Sequence, residues 1–168
     1  MSKAFTREDA GPDLPELVRP VSALPAGAVN YMTADGAERL RQDLAKLIET
    51  ERPLIAAKSE NAEATEKLAS IDQRIFQLEQ SLESARVVSH PKGPAQSVTF
   101  GATVTVDGPE GREVFKIVGV DEVDHERGHI SWLSPVARAL ITARVGQQVR
   151  FKYPCGEEHL EVISIAYE

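Results

Sequence analysis

The chain is predicted to be an α+β protein of two domains, a helical hairpin followed by a small sheet-plus-helix unit. Three observations predict it. No glycine falls between Gly36 and Gly93, the apolar residues of that stretch recur in steps of three and four, and beyond it they recur in steps of two. Residues 1–30 lie outside this pattern. Pro12, Pro15, Pro20 and Pro25, with Gly27, crowd a segment that keeps no apolar period, so it reads as an extended or disordered tail.

Residues 31–88 read as the hairpin. Thr33 is a suitable N-cap, and Asp35 places a carboxylate in the positively polarised first turn. One apolar seam runs Leu40, Leu44, Leu47 and Leu54, interrupted by Glu51; a second runs Ala64, Leu68, Ile71, Ile75, Leu78, Leu82 and Ala85. The second keeps the 4-3 spacing of a supercoiled pair. Extending the first seam meets Lys58, Asn61 and Thr65, so one straight helix would lose its stripe halfway. Two antiparallel arms reversing near residues 58–62 keep both stripes on one interface. Pro53, inside the first arm, removes a helical hydrogen bond and should kink it.

Residues 89–97, with Pro91, Gly93 and Pro94, read as a linker, and residues 98–168 as the second domain. Val98, Phe100, Ala102, Val104 and Val106 alternate with polar residues, and Gly108-Pro109-Glu110-Gly111 is a turn into a strand from Phe115 to Val120. Ile130 to Trp132 suggests another strand. Ser134 suits an N-cap and Pro135 the first position of a helix reaching Arg144. Val149–Tyr153 and Leu160–Tyr167 would complete an antiparallel sheet. Six of the nine aromatic residues fall in this segment, enough for a core of its own.

Composition narrows the function. Nineteen basic against 26 acidic residues give a net charge of −7, which disfavours independent gripping of nucleic acid. No apolar run approaches the ~18 residues of a membrane span, and the opening MSKAFTREDAGPDLPELVRP lacks a secretory core, so a cytoplasmic protein is expected. Cys155 is the sole cysteine, which excludes an internal disulfide and a multi-cysteine metal site; it sits between Pro154 and Gly156 with no base to activate it. His125 and His129 have helical chelate spacing, but Gly128 between them favours a loop.

The order of several short segments resembles the bacterial Gre transcript-cleavage factors, in particular the longer, GreB-like branch. These are MSKAFTRED, NYMTADGAERL, ERP, IDQRI and ARVV, then FGA, IVGVDEVD, GHISW, SPVARAL and RVGQQV. The resemblance implies an FKBP-like C-terminal domain that docks RNA polymerase at its secondary channel, through Leu133, Ser134 and Pro135. It also implies a hairpin that reaches towards the active centre. There, two tip acids help hold a magnesium ion that belongs to the polymerase, and the factor has no cofactor or free-standing active site of its own. Hard oxygen ligands suit that ion.

Ser59, Glu60, Asn61, Ala62 and Glu63 match the family tip, which makes Glu60 one of the two acids. The second acid's position is Ala57, the glycine before it is Ala56, and the aromatic after the tip is Ala64. Glu63 is a possible substitute partner for Glu60, because residues three apart share a helix face. Without any metal role, Glu60, Glu63 and Glu66 also suit the start of a helix. The arms are shorter than in typical members by roughly one heptad each. The expectation is therefore a monomeric elongation factor that binds the polymerase and stimulates cleavage weakly or not at all. Peptidyl-prolyl isomerase activity, or a protein-binding adaptor role of the FKBP-like domain, is the alternative.

Overall fold

The computed structural model describes residues 24–57, 62–89 and 96–167. The tail expected over residues 1–30 falls mostly outside them, as do the reversal at 58–61, which contains Glu60, and most of the linker at 90–95. The chain passes from β1 (Asn30–Thr33) into α1 (Ala34–Lys46), a π-helical turn (Leu47–Glu51) and α2 (Arg52–Ala57). It continues as α3 (Ala62–Ser84) and β2 (Ala85–Val88).

Thr33 caps α1 as expected, its hydroxyl accepting a 3.0 Å hydrogen bond from the Gly36 amide. Met32, Ala37 and Leu40 pack with Leu78 in one apolar cluster, which Leu44, Leu47, Leu82 and Ala85 flank. Further along, Arg52 Nε meets Asp72 Oδ1 at 2.6 Å. Residue numbers thus rise on one side of the contact as they fall on the other, so the arms run antiparallel. Every residue of the second seam is buried or half-buried. The hairpin reading of residues 31–88 needs correcting at its two ends, because Ala85–Val88 form β2, which pairs in parallel with β1 from Asn30↔Ala85 to Thr33↔Val88. Both arms are therefore anchored at their base by a short two-stranded ladder.

The first seam also needs correcting at Leu54, which is 53% exposed, whereas Ile55 is half-buried. The cause lies just upstream. Pro53 has no amide hydrogen and its ring crowds the carbonyl four residues back, that of Glu49. The helix widens there, and the Arg52 amide bonds the Leu47 carbonyl five residues back. A π turn takes up one extra residue. The seam therefore steps from Leu47 through half-buried Glu51 to Ile55 instead of to Leu54.

The C-terminal body is a five-stranded sheet in the order β5-β4-β3-β7-β6. Its strands are β3 (Thr103–Gly108), β4 (Gly111–Val118), β5 (His129–Ser131), β6 (Gln148–Tyr153) and β7 (Gly156–Ala166). Three of the four pairings are antiparallel, but β4 and β5 run parallel, so the sheet is not wholly antiparallel as expected. The turn at Pro109-Glu110 closes β3 onto β4 with Gly108 opposite Gly111, and Gly111 has φ 106°. Val98, Ala102, Val104, Val106, Ile117, Leu140 and Val162 form the centre of the core beneath the single helix α4 (Pro135–Leu140).

That helix is shorter than the predicted run to Arg144. Thr142 turns to φ 74°, its amide bonds the Val98 carbonyl at 2.8 Å, and the Ala143 carbonyl accepts from the Val98 amide at 2.8 Å. A ladder to Val98 thus replaces the last helical turn. Likewise β4 stops at Val118 and not at Val120, because Val120–Glu122 coil into a 3-10 turn directed at the arms.

The arms and body meet at this turn. Asn30 Nδ2 reaches Asp121 Oδ2 at 3.3 Å, the Ser81 hydroxyl bonds the same oxygen, and the Thr33 amide donates to Glu122 Oε2 at 2.9 Å. Tyr31 fills the adjoining apolar space, 5.3 Å edge-on from Trp132 and 5.9 Å from Phe100.

Candidate functional site

The sequence points to two places, the end of the arms and the segment opening α4. At the first, the described part begins with Ala62, and Glu63 lies in the first turn of α3. Its Oε1 accepts a 2.6 Å hydrogen bond from Lys67 Nζ, one turn on, and this bond, aided by the ammonium charge, holds the Glu63 carboxyl below its ordinary value. Glu63 is thus an ionised, exposed acid already shared with a lysine. Ala64 is buried, which suits a methyl better than a ring. Ala57 ends α2 exposed, with a methyl where the resemblance places an acid. Glu60 lies outside the described residues, and among the described residues no three His, Cys, Asp or Glu side chains converge as a metal site.

At the second place, Ser134 is the N-cap of α4: its Oγ accepts from the Ala137 amide at 3.1 Å, and Pro135 follows at the first helical position, exposed. The Leu133 amide donates to Ser131 Oγ at 3.1 Å, and the Ser134 amide to the Ser131 carbonyl at 2.9 Å. These bonds fix the backbone of the whole segment at the end of β5. Leu133 is half-buried.

Phe100, Phe115, Trp132, Phe151 and Tyr167 pack against the body's core. His129 lies in β5 while His125 lies in the preceding turn, so the two do not share a helix face. Burial pushes the His129 imidazole down, and the charges of Arg39 and Lys116 add to the effect. Cys155 is exposed in the turn between β6 and β7.

Sequence reasoning missed Asp121 and Glu122. Both stand inside the IVGVDEVD segment, yet adjacent acids after a strand read as a solvated loop. Only the arrival of Thr33, 89 residues away, makes Glu122 a buried partner. No local signal marks that encounter.

The family description "Transcription elongation factor, GreA/GreB, C-term" matches residues 93–167. A transcription elongation factor GreB of Neisseria meningitidis serogroup B is 39% identical over 153 residues, covering 82% of this chain and 94% of the relative. The chain belongs to the GreA/GreB family of transcription elongation factors. A GreA of Thermodesulfovibrio yellowstonii is 41% identical, with 82% of this chain and 96% of that GreA/GreB relative covered. The solved structure of a prokaryotic GreA/GreB factor from Nitrosomonas europaea aligns with a TM-score of 0.40 at 24% identity, over 82% of this chain and 98% of that one. No described helix of this GreA/GreB member is long and apolar enough to cross a membrane.

Proposed function

We propose that this protein docks on RNA polymerase at the secondary channel and modulates elongation of paused or backtracked complexes with little or no stimulation of transcript cleavage. Docking falls to the body, residues 98–168, read as FKBP-like, through Leu133, Ser134 and Pro135. The hairpin, residues 31–88, enters the channel, and residues 89–97 link the two. Family membership supports the elongation role. The bonded turn at Ser131–Ser134 supports the docking role, because it presents Pro135 on a fixed backbone.

The observation that carries the loss of cleavage is Ala57, an exposed methyl at the end of the first arm where a second carboxylate would be needed. Glu60 is then the tip's one matched acid, and Glu63, its possible substitute partner, is engaged by Lys67. A magnesium ion held in the polymerase wants oxygen ligands at about 2.1 Å. A probe shorter by roughly one heptad per arm ends about 10 Å away. The protein would act as a monomer in the cytoplasm, with no cofactor and no nucleic-acid grip of its own; the net charge of −7 supports the last point.

Pull-down with core polymerase followed by incubation with stalled, backtracked complexes tests the reading. Binding with transcripts left near full length is expected. Robust shortening of those transcripts, or no binding, would overturn it.

A further inference from the structure

We propose that Glu122 is a positioning residue: it sets the direction in which the arms leave the body, acting through Thr33 and Gly36. Glu122 is only 6% exposed. Its Oε2 accepts from the Thr33 amide at 2.9 Å and from the Gly119 amide at 3.0 Å, and its Oε1 accepts from the Thr33 hydroxyl. That hydroxyl in turn caps α1 through the Gly36 amide. One buried carboxylate thus ties the body's 3-10 turn to the first turn of the first arm, where the helix end also favours negative charge. Next to it, Asp121 accepts from Asn30 Nδ2 in β1 and from the Ser81 hydroxyl near the end of α3. Asn30 Nδ2 also lies 3.2 Å from the Ser81 carbonyl and from Ser84 Oγ. Two consecutive acids therefore hold the bases of both arms.

The fit leaves no slack. A Cβ on Gly36 would overlap the Glu122 carboxylate, and one on Gly119 would overlap the Tyr31 carbonyl oxygen. Neither glycine needs left-handed backbone, since neither has positive φ. Both serve close approach. Stability alone would not call for so specific a joint, but a lever does. The 23 residues of α3 extend about 35 Å, so a tilt of about 10° at the base moves the far end by about 6 Å. The functional consequence rests on the polymerase reading above; the geometric one does not.

The full-length protein allows both to be measured. Cys155 is exposed and is the sole cysteine, so it takes one spin label, and Gln73→Cys on the exposed side of α3 takes the other. Pulsed electron resonance on this pair is expected to give one narrow distance. Glu122→Ala should broaden or shift it, and Glu122→Gln should largely restore it, because the amide oxygen can still accept from Thr33 and Gly119. Gly36→Ala is the sharper probe: alanine is the better helix former, so helicity holds or rises, yet its methyl wedges the joint open. Broadening in Gly36→Ala without loss of circular-dichroism helix signal supports the proposal, even where Glu122→Ala fails to fold. An unchanged distance in Gly36→Ala overturns it.

With polymerase, the loosened variants should keep a Kd within about twofold while their effect on elongation falls by up to about a hundredfold, since a misplacement of about 1 Å can cost that much. An equal loss of both quantities would mean that Glu122 merely holds the fold, and would also overturn the proposal. If the unsubstituted protein does not bind polymerase, the channel reading fails, and the distance measurement decides the joint by itself.

Discussion

At Thr33 a single hydroxyl accepts from the Gly36 amide and donates to Glu122. Replacing it by alanine removes an N-cap and leaves a buried carboxylate short of a donor. The two losses together are worth about 2–3 kcal/mol. Thr33→Ala should show that drop in urea denaturation, and Thr33→Ser should recover most of it. His129 offers a second residue-level test. Burial and neighbouring cations push its folded pKa below the ordinary 6.5, so the folded state binds fewer protons than the unfolded state between those two values. Its contribution to stability is complete above pH 6.5 and is lost as the pH falls towards the folded value. His129→Gln should therefore melt with a flatter pH dependence than the parent from neutral to mildly acid solution. Thr33 was legible in the sequence as a cap, because capping is local. Its second partner was not, since a hydrogen bond across 89 residues leaves no trace in spacing or composition.

Among the elements, the first arm shows how one proline re-phases a helix. The sequence carries the stripe and the proline openly, and a kink at Pro53 follows from chemistry. What it does not carry is the way the strain is taken up. A widened turn at Leu47–Glu51 inserts one residue into the phase, and the partner of the second arm becomes Ile55 in place of Leu54. The shift also brings Arg52 opposite Asp72, where the guanidinium holds the Asp72 carboxyl below its usual range. Substitution distinguishes the two phases. Ile55→Ala should cost about 1–2 kcal/mol, as for a half-buried aliphatic side chain, and Leu54→Ala less than about 0.5 kcal/mol. A larger loss at Leu54 would mean that the seam continues unshifted. The second arm, with no proline, follows its 4-3 spacing throughout. In the body, the strands and the turn at Pro109-Glu110 were equally legible, whereas the parallel β4–β5 pair and the early end of α4 were not. Both depend on which distant backbone groups compete for the same hydrogen bonds.

For the molecule as a whole, a body, a joint and a pair of arms form a lever whose length and end group together decide what it can do. Two deficits separate this chain from a cleavage-competent probe in the proposed reading: reach, and the second carboxylate absent at Ala57. They predict a non-additive response. Ala57→Asp alone supplies the acid at a point about 10 Å short and should leave transcript cleavage unchanged. Inserting one heptad into each arm preserves the seam phase and adds that reach, but presents a lone acid and should also do little. The two changes together should shorten transcripts in backtracked complexes measurably, and only while Glu122 is intact, because a longer lever magnifies any error of direction at its base. Full activity from Ala57→Asp alone would show that the body docks deeper than the arm length implies. Failure of the combined variant, in a protein that still binds polymerase, would show that the channel-facing end lacks more than length and one carboxylate.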